Sequence, residues 1–467
     1  MKSTESLRRK TEEYAVGEIM GILAGDPEKH IRRLVDLAQH LAIHPEHKQA
    51  VATVKTYVDQ QLDGDLPAPL RTLARGLRQS SPACRTKLAM NALVNGTWNA
   101  RATRDRILEE QGFYPPSIML MSPSMRCNLS CSGCYAAQYT KKDDLPYEVM
   151  DRVLREAKEL GIFSVILLGG EPLVRPDVVD LIEEHDDMAF MVFTNGTLIT
   201  PALAERFSAM GNAVFSVSID GLKRQHEARR GVGTFDRTIQ GLRSLREAGV
   251  PYGFSTMVTR ENCEDVIADE FNDFLVEEGC LWGWHFLYMP VGRDADPSLM
   301  PTPEQREMLR QRGAQYIRSR KELFVIDFWN DAPYVGGCIA GARRYFHINA
   351  NGDVEPCIFA HFATHNIKDV SLAEALSSPF FSDIKSRQPY DDNLLRPCMI
   401  MDHPQILRDA VAASGAHPTH EGAEVLLGEF APMLDAYAET YRPIADKAWH
   451  EILAKRPQEP SRSAMAS

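Results

Sequence analysis

From Ser117 onward the chain alternates short apolar runs with stretches whose apolar positions recur every three or four residues. The runs Ile118–Met121, Ser164–Leu168, Ala189–Phe193, Ala213–Ile219, Tyr252–Val258 and Trp284–Met289 predict strands. Between them, Tyr147–Leu160, Asp177–Glu184, Pro201–Met210, Phe235–Ala248 and Glu264–Glu278 predict helices. Six strands alternating with helices imply right-handed crossovers and a parallel sheet, with active residues at the carboxyl ends of the strands. Six units are too few for a closed eight-stranded barrel. The expected fold class is therefore α/β, an open partial (βα)6 barrel over residues 115–322.

The flanks read differently. Residues 1–114 predict an all-helical domain, with one-sided apolar faces at Ile31–Leu41 and Val51–Leu62 and a break at Asp63–Pro67. Pro115–Pro116 marks its boundary. After the barrel, the short runs Phe324–Phe328, Tyr345–Asn349 and Asp353–Glu355 predict a small α+β domain over 323–410. Helices over 411–455 and a disordered tail at 456–467 complete the chain.

Composition narrows the partners. Of 467 residues, 52 are Lys or Arg and 64 are Asp or Glu, a net charge of −12. An acidic chain with no basic block is not built for nucleic acid or an anionic membrane surface. No apolar run reaches the ~18–20 residues of a membrane span, and no apolar segment follows the first basic residues, so the expected location is the cytoplasm. Nine cysteines in a reducing compartment read as metal ligands or reactive thiols before disulfides.

Their spacing is informative. Cys127, Cys131 and Cys134 stand as C-x3-C-x2-C on the loop after the first strand. Three thiolates so close together can wrap three corners of a cubane iron–sulfur cluster and leave the fourth iron open. A structural zinc would want four ligands, and no fourth Cys or His lies nearby. With Tyr135 next in line, the loop resembles the cluster-binding signature of the radical S-adenosylmethionine (radical SAM) enzymes.

Matching features follow the next strands in order. Gly169, Gly170, Glu171 and Pro172 resemble the family's GGEP motif, which holds the amino group of S-adenosylmethionine. Read alone, they make an ordinary strand-to-helix turn. Thr194 and Asn195, after the third strand, match a family position beside the same ligand. Ser218 and Asp220 share one side of the fourth strand. By resemblance to anaerobic sulfatase-maturating enzymes, Ser218 would touch the ribose and Arg230 the carboxylate; the plain alternative for Arg230 is a solvated surface arginine. The resemblance implies that S-adenosylmethionine chelates the open iron of a 4Fe–4S cluster. An electron, drawn from a flavodoxin- or ferredoxin-type reductant, then yields a 5′-deoxyadenosyl radical that takes hydrogen from a substrate.

A second cysteine set is looser. Cys338 and Cys357 fit C-x13-G-x4-C around a hairpin turn at Asn351–Gly352, and Cys398 follows. The pattern resembles the SPASM/twitch auxiliary-cluster domains, which implies a second iron–sulfur cluster. A twitch domain usually closes with C-x2-C, but Met401 stands at the expected position. Asp402 or His403 could supply the fourth ligand, or the site could stay open. Three buried free cysteines, or a zinc completed by His403, are the alternatives. Cys84, Cys263 and Cys280 have no matching partners and read as buried thiols.

The sequence thus predicts a radical SAM oxidoreductase or maturase acting on a peptide, small metabolite or lipid precursor. The reading from a different class is a non-catalytic iron–sulfur electron carrier or sensor, which would need no S-adenosylmethionine pocket.

Overall fold

The computed structural model describes residues 2–27, 67–136 and 144–455, with isolated positions at 30, 36, 39, 52, 55 and 56. The helices expected at Ile31–Leu41 and Val51–Leu62, the break before Pro67 and the tail from 456 fall wholly or largely outside the described residues.

The sheet is built from β1 (Ile118–Met121), β2 (Ser164–Leu167), β3 (Ala189–Thr194), β4 (Ala213–Ser218), β5 (Tyr252–Val258), β6 (Trp282–Leu287), β7 (Phe324–Asp327), β8 (Tyr345–Ile348) and β9 (Val354–Glu355). Their order across the sheet is β7-β6-β5-β4-β3-β2-β1-β8-β9. All neighbours pair in parallel except β9, which folds back against β8. Helices such as Tyr147–Glu159 and Thr234–Ala248 cover the outside and bury one apolar stripe each. The strands are mostly apolar, with polar positions such as Ser218, Ser255, His285 and His347 set among them.

The six expected strands therefore form the expected partial barrel. The later short strands do not make a small sheet of their own. β7 joins the barrel at β6 and β8 joins it at β1, where Met119 is paired with Val165 on one side and Phe346 on the other. Eight parallel strands result, and the seam between β7 and β8 is spanned by the Phe328 and Tyr345 rings, 6.1 Å apart. Glu264–Glu278, expected as one helix, is two, Cys263–Ile267 and Asp269–Glu277.

The N-terminal helices floor the barrel. Arg104 donates to the Gly161 carbonyl (2.8 Å), just before β2, and Asn91 to those of Asp186 and Met188 (2.9 Å each), just before β3. Ser81 N–H reaches Gly249 before β5, and Arg75 reaches Val276 and Cys280 before β6. Each bond satisfies a carbonyl at the amino end of a strand, so the helical segment is a plug beneath the sheet. At the other flank the helix Ala431–Lys455 is clasped by Arg306. This fully buried guanidinium stacks 3.6 Å over the Tyr441 ring and pairs with Asp402 at 2.7 Å.

Candidate functional site

The loop after β1 is held by backbone pairing and by side chains. Beyond the strand, Leu168 N–H donates to Met121, Gly170 to Ser124 and Glu171 to Arg126, so the β1–β2 ladder runs on into the cysteine loop. Only glycine permits this approach. A Cβ on Gly170 would stand 2.2 Å from the Arg126 carbonyl oxygen, and one on Gly169, whose φ is +114°, 2.4 Å from that of Ser124. Arg175 closes the loop's two ends by donating to the carbonyls of Pro123 (2.8 Å) and Leu145 (2.7 Å). Tyr135 is half-buried, edge-on to Phe359 at 5.9 Å, with its hydroxyl against the Gly169 N–H.

Three of the expected ligand-binding residues stand one layer behind the surface they shape. Glu171 is fully buried, and its carboxylate accepts from Thr194 Oγ1 (2.8 Å), Asn195 N–H (2.7 Å) and Leu173 N–H (3.1 Å). Burial pushes its pKa up against these three donors. Pro172 opens the short turn Pro172–Val174 and is buried too. Asp220 accepts from Arg229 Nη1 at 2.8 Å, Arg230 Nε at 2.6 Å and Met257 N–H at 3.1 Å. Despite burial, the two guanidiniums hold its carboxyl well below the usual range.

What faces inward is what these carboxylates hold. Thr194, Asn195, Ser218, Arg229 and Arg230 line the cavity, together with Cys127, Cys131, Cys134, Tyr135, Gly169 and Gly170. Asn195 also donates to Asn128 (2.8 Å) inside the cysteine loop, and Ser132 N–H reaches the Arg229 carbonyl (3.2 Å). Arg229 was not singled out from the sequence; the tandem with Arg230 was the available signal. Asp220→Asn leaves two largely buried guanidiniums without their shared counter-charge, a cost of about 3 kcal/mol. We expect a lowered melting temperature and a raised Kd for S-adenosylmethionine, measured by thermal denaturation and equilibrium dialysis.

The second trio converges on the same space. Cys338, Cys357 and Cys398 line this cavity as well. Burial pushes the Cys338 thiol up to about 12, so a metal loaded here displaces protons. In both trios a recurrent turn appears: the N–H two residues on points at the sulfur. Leu129 does so at Cys127 (3.4 Å), Ala340 at Cys338, Phe359 at Cys357 and Ile400 at Cys398 (3.4 Å). Such bonds stabilise thiolate ligands and tune cluster potentials. Tyr345 adds a hydroxyl 3.1 Å from Cys357 Sγ.

Neither Asp402 nor His403 faces the cavity. Asp402 is consumed by Arg306 and by the Cys398 N–H (3.0 Å), and His403 by the Arg396 carbonyl (3.0 Å). Among the described residues no three His, Cys, Asp or Glu side chains form a site for a single metal ion. Both trios line one opening and carry N–H donors to their sulfurs, and Arg230 lies beside Cys131 and Cys134, a setting that suits an anionic multi-iron group. Cys84, Cys263 and Cys280 are fully buried apart from the cavity lining.

A buried polar chain ties the two halves together. Ser122, at the end of β1, is bonded to His347 Nε2 (2.7 Å), and His347 Nδ1 to Glu355 (2.6 Å). Glu355 also accepts from Asn349 (3.0 Å) and Thr419 (2.5 Å). All of Ser122, His347 and Glu355 are fully buried and outside the cavity lining, so the chain braces β1 against β8 and β9. The cavity is open at its mouth and is lined by both trios.

Comparison with known proteins agrees with this geometry. The model of the Radical SAM superfamily matches residues 121–269, and that of the SPASM iron–sulfur cluster-binding domain matches 338–399. An AdoMet-dependent heme synthase of Methanosarcina barkeri is 29% identical over 287 residues, 56% of this chain and 81% of that protein. The mycofactocin maturase MftC of Mycobacterium tuberculosis is 30% identical over 284 residues, 56% of this chain and 71% of that protein. The PqqA peptide cyclase of Granulibacter bethesdensis is 27% identical over 358 residues, 68% and 93% of the two chains. Streptococcus suis SuiB, solved bound to S-adenosylmethionine, shares the fold with a TM-score of 0.54 at 23% identity, over 64% of this chain and 76% of that one.

Proposed function

Because the chain belongs to the radical SAM superfamily and carries a SPASM iron–sulfur domain, we propose that it removes hydrogen from a substrate seated between its two cysteine trios. It is an enzyme that uses a 4Fe–4S cluster, S-adenosylmethionine and an auxiliary iron–sulfur group. The observation that carries the proposal is that both trios line one cavity, with the Arg229–Arg230 pair at the same wall.

Cys127, Cys131 and Cys134 hold the first cluster, and Cys338, Cys357 and Cys398 the second. When bound, the first cluster supplies the electron that splits the sulfonium of S-adenosylmethionine into methionine and a 5′-deoxyadenosyl radical. The chain's own residues orient that ligand. Arg230, fixed by Asp220 through Nε, presents a cation to the ligand carboxylate. The backbone of Gly169 and Gly170 passes close enough for its polar groups to meet the amino group, while Glu171 sets the Thr194–Asn195 turn from behind. Ser218, 3.4 Å from Ser255, offers a hydroxyl to the ribose. Tyr135 seals the edge of the cysteine loop and, with the N-terminal plug, keeps water from the reacting carbon.

An auxiliary group beside the substrate favours net oxidation or bond formation over isomerisation. The substrate is a peptide or a small molecule, the classes behind the names PqqA peptide cyclase and heme synthase. A flavodoxin- or ferredoxin-type protein delivers the electron. Nine unpaired cysteines suit a reducing compartment, and we place the enzyme in the cytoplasm.

The test is anaerobic reconstitution with iron, sulfide, S-adenosylmethionine and dithionite, reading 5′-deoxyadenosine by mass spectrometry. Its absence from an iron-loaded sample overturns the proposal. In Cys357→Ala we expect iron per chain to fall while slow 5′-deoxyadenosine formation persists; unchanged iron removes the second cluster from the reading.

A further inference from the structure

The two halves of the cavity differ in polarity. Thr194, Asn195, Ser218, Ser255 and Thr256 cluster at the carboxyl ends of β3, β4 and β5, on the Arg229–Arg230 side. Toward the second trio the wall is Trp284, Phe286, Phe328, Ile339, Ile358 and Met399. Among the described lining residues Arg229 and Arg230 are the only charged ones, and both are bound to Asp220. The apolar half also runs deep. Ile118 lines it from the amino end of β1, above the helical plug.

Its aromatic rings form one continuous surface. Trp284 and Phe286 lie parallel within 4°, with centroids 5.8 Å apart, and both meet Phe328 at 5.8 and 5.7 Å. Phe328 goes on to touch Tyr345, whose hydroxyl is already spent on Cys357. The indole N–H of Trp284 is itself buried away from the opening, so this wall offers no donor there.

We propose that the part of the substrate that reacts is a hydrocarbon segment, in a molecule that presents no charge to this wall. The inference rests on the radical reading above and narrows its substrate to the small apolar class. A peptide backbone laid along this wall would bury several N–H and C=O groups against apolar side chains, a penalty paid at every residue. A hydrocarbon gains from the same surface by leaving water.

The experiment uses the reconstituted holoenzyme with S-adenosylmethionine and two probes, a diazirine derivative of stearyl alcohol and a diazirine derivative of cholesterol. Photolabelling is mapped by mass spectrometry, and 5′-deoxyadenosine is measured in parallel. We expect saturable labelling within 282–289 and 328–345, with the two probes telling a linear chain from a fused-ring substrate. Phe286→Asp should cut labelling at least tenfold while Phe286→Leu retains it. Iron content and circular dichroism of each variant serve as the folding control. Should Phe286→Asp fail that control, competition decides: an uncharged polar nonapeptide should not displace the label. Displacement by that peptide at equal concentration, or labelling confined to the outer surface, overturns the inference. So does absence of labelling in a protein that still forms 5′-deoxyadenosine, which leaves the radical reading standing. A protein that neither labels nor cleaves overturns both.

Discussion

Replacing any one of Cys127, Cys131 or Cys134 by alanine reduces formation of 5′-deoxyadenosine to background. All three sulfurs come from one loop and line one wall, so none has a neighbour able to take its place. Two thiolates cannot retain a cubane whose remaining irons face an open cavity. The loop itself survives the change, because it is held by the Gly170–Ser124 and Glu171–Arg126 backbone bonds and by Arg175, none of which involves a thiol. The variants are therefore expected to fold with near-normal melting temperatures and to carry only the iron of the second trio. Iron analysis, electron paramagnetic resonance after dithionite and product mass spectrometry check the three parts. Retained cleavage in any of them would remove the assignment of the first cluster.

Gly170→Ala is expected to do nearly as much damage without touching a cysteine. Its Cβ would sit 2.2 Å from the Arg126 carbonyl oxygen and 2.6 Å from that of Met125. Both contacts are with backbone, and that backbone is pinned by the same ladder. Relief requires the cysteine loop to lift away from β2, at a cost of about 3 kcal/mol on the scale of overpacked cores. Lifting moves Cys127, one residue further on. We expect a fall of several degrees in melting temperature, together with iron content approaching that of the cysteine variants. A protein with wild-type iron and stability would show that the loop is held elsewhere.

The sequence carried the first six strands because each is a mostly apolar run, separated from the next by a stretch of helical period. It carried the cysteines and glycines because their chemistry depends on spacing within a few residues. What local pattern could not carry was pairing across distance. β1 and β8 lie more than 220 residues apart, and nothing in Tyr345–Ile348 states that its partner is Ile118–Met121 rather than a neighbour in a separate small sheet. The Ser122–His347–Glu355 chain was missed for the same reason. Glu171 and Asp220 illustrate a different gap. Alternation along a strand assigns a face, but both residues lie just beyond a strand, where the backbone turns. Their carboxylates point to donors that became neighbours only on folding: Asn195 N–H for one, the paired arginines for the other. Asp402 was passed over as a possible fourth ligand only once its partner Arg306, on a distant helix, was seen to consume it.

The pairing of β8 with β1 also bears on how the molecule comes into being. The barrel's first strand emerges early from the ribosome, yet one of its two edges stays bare until residues 345–348 follow. An uncovered apolar edge invites pairing with other chains. A nascent chain halted near residue 322 should depend on chaperones and aggregate on release, whereas one halted after the hairpin of β8 and β9 should remain dispersed. The family's reaction core, in this chain, is not an excisable cassette.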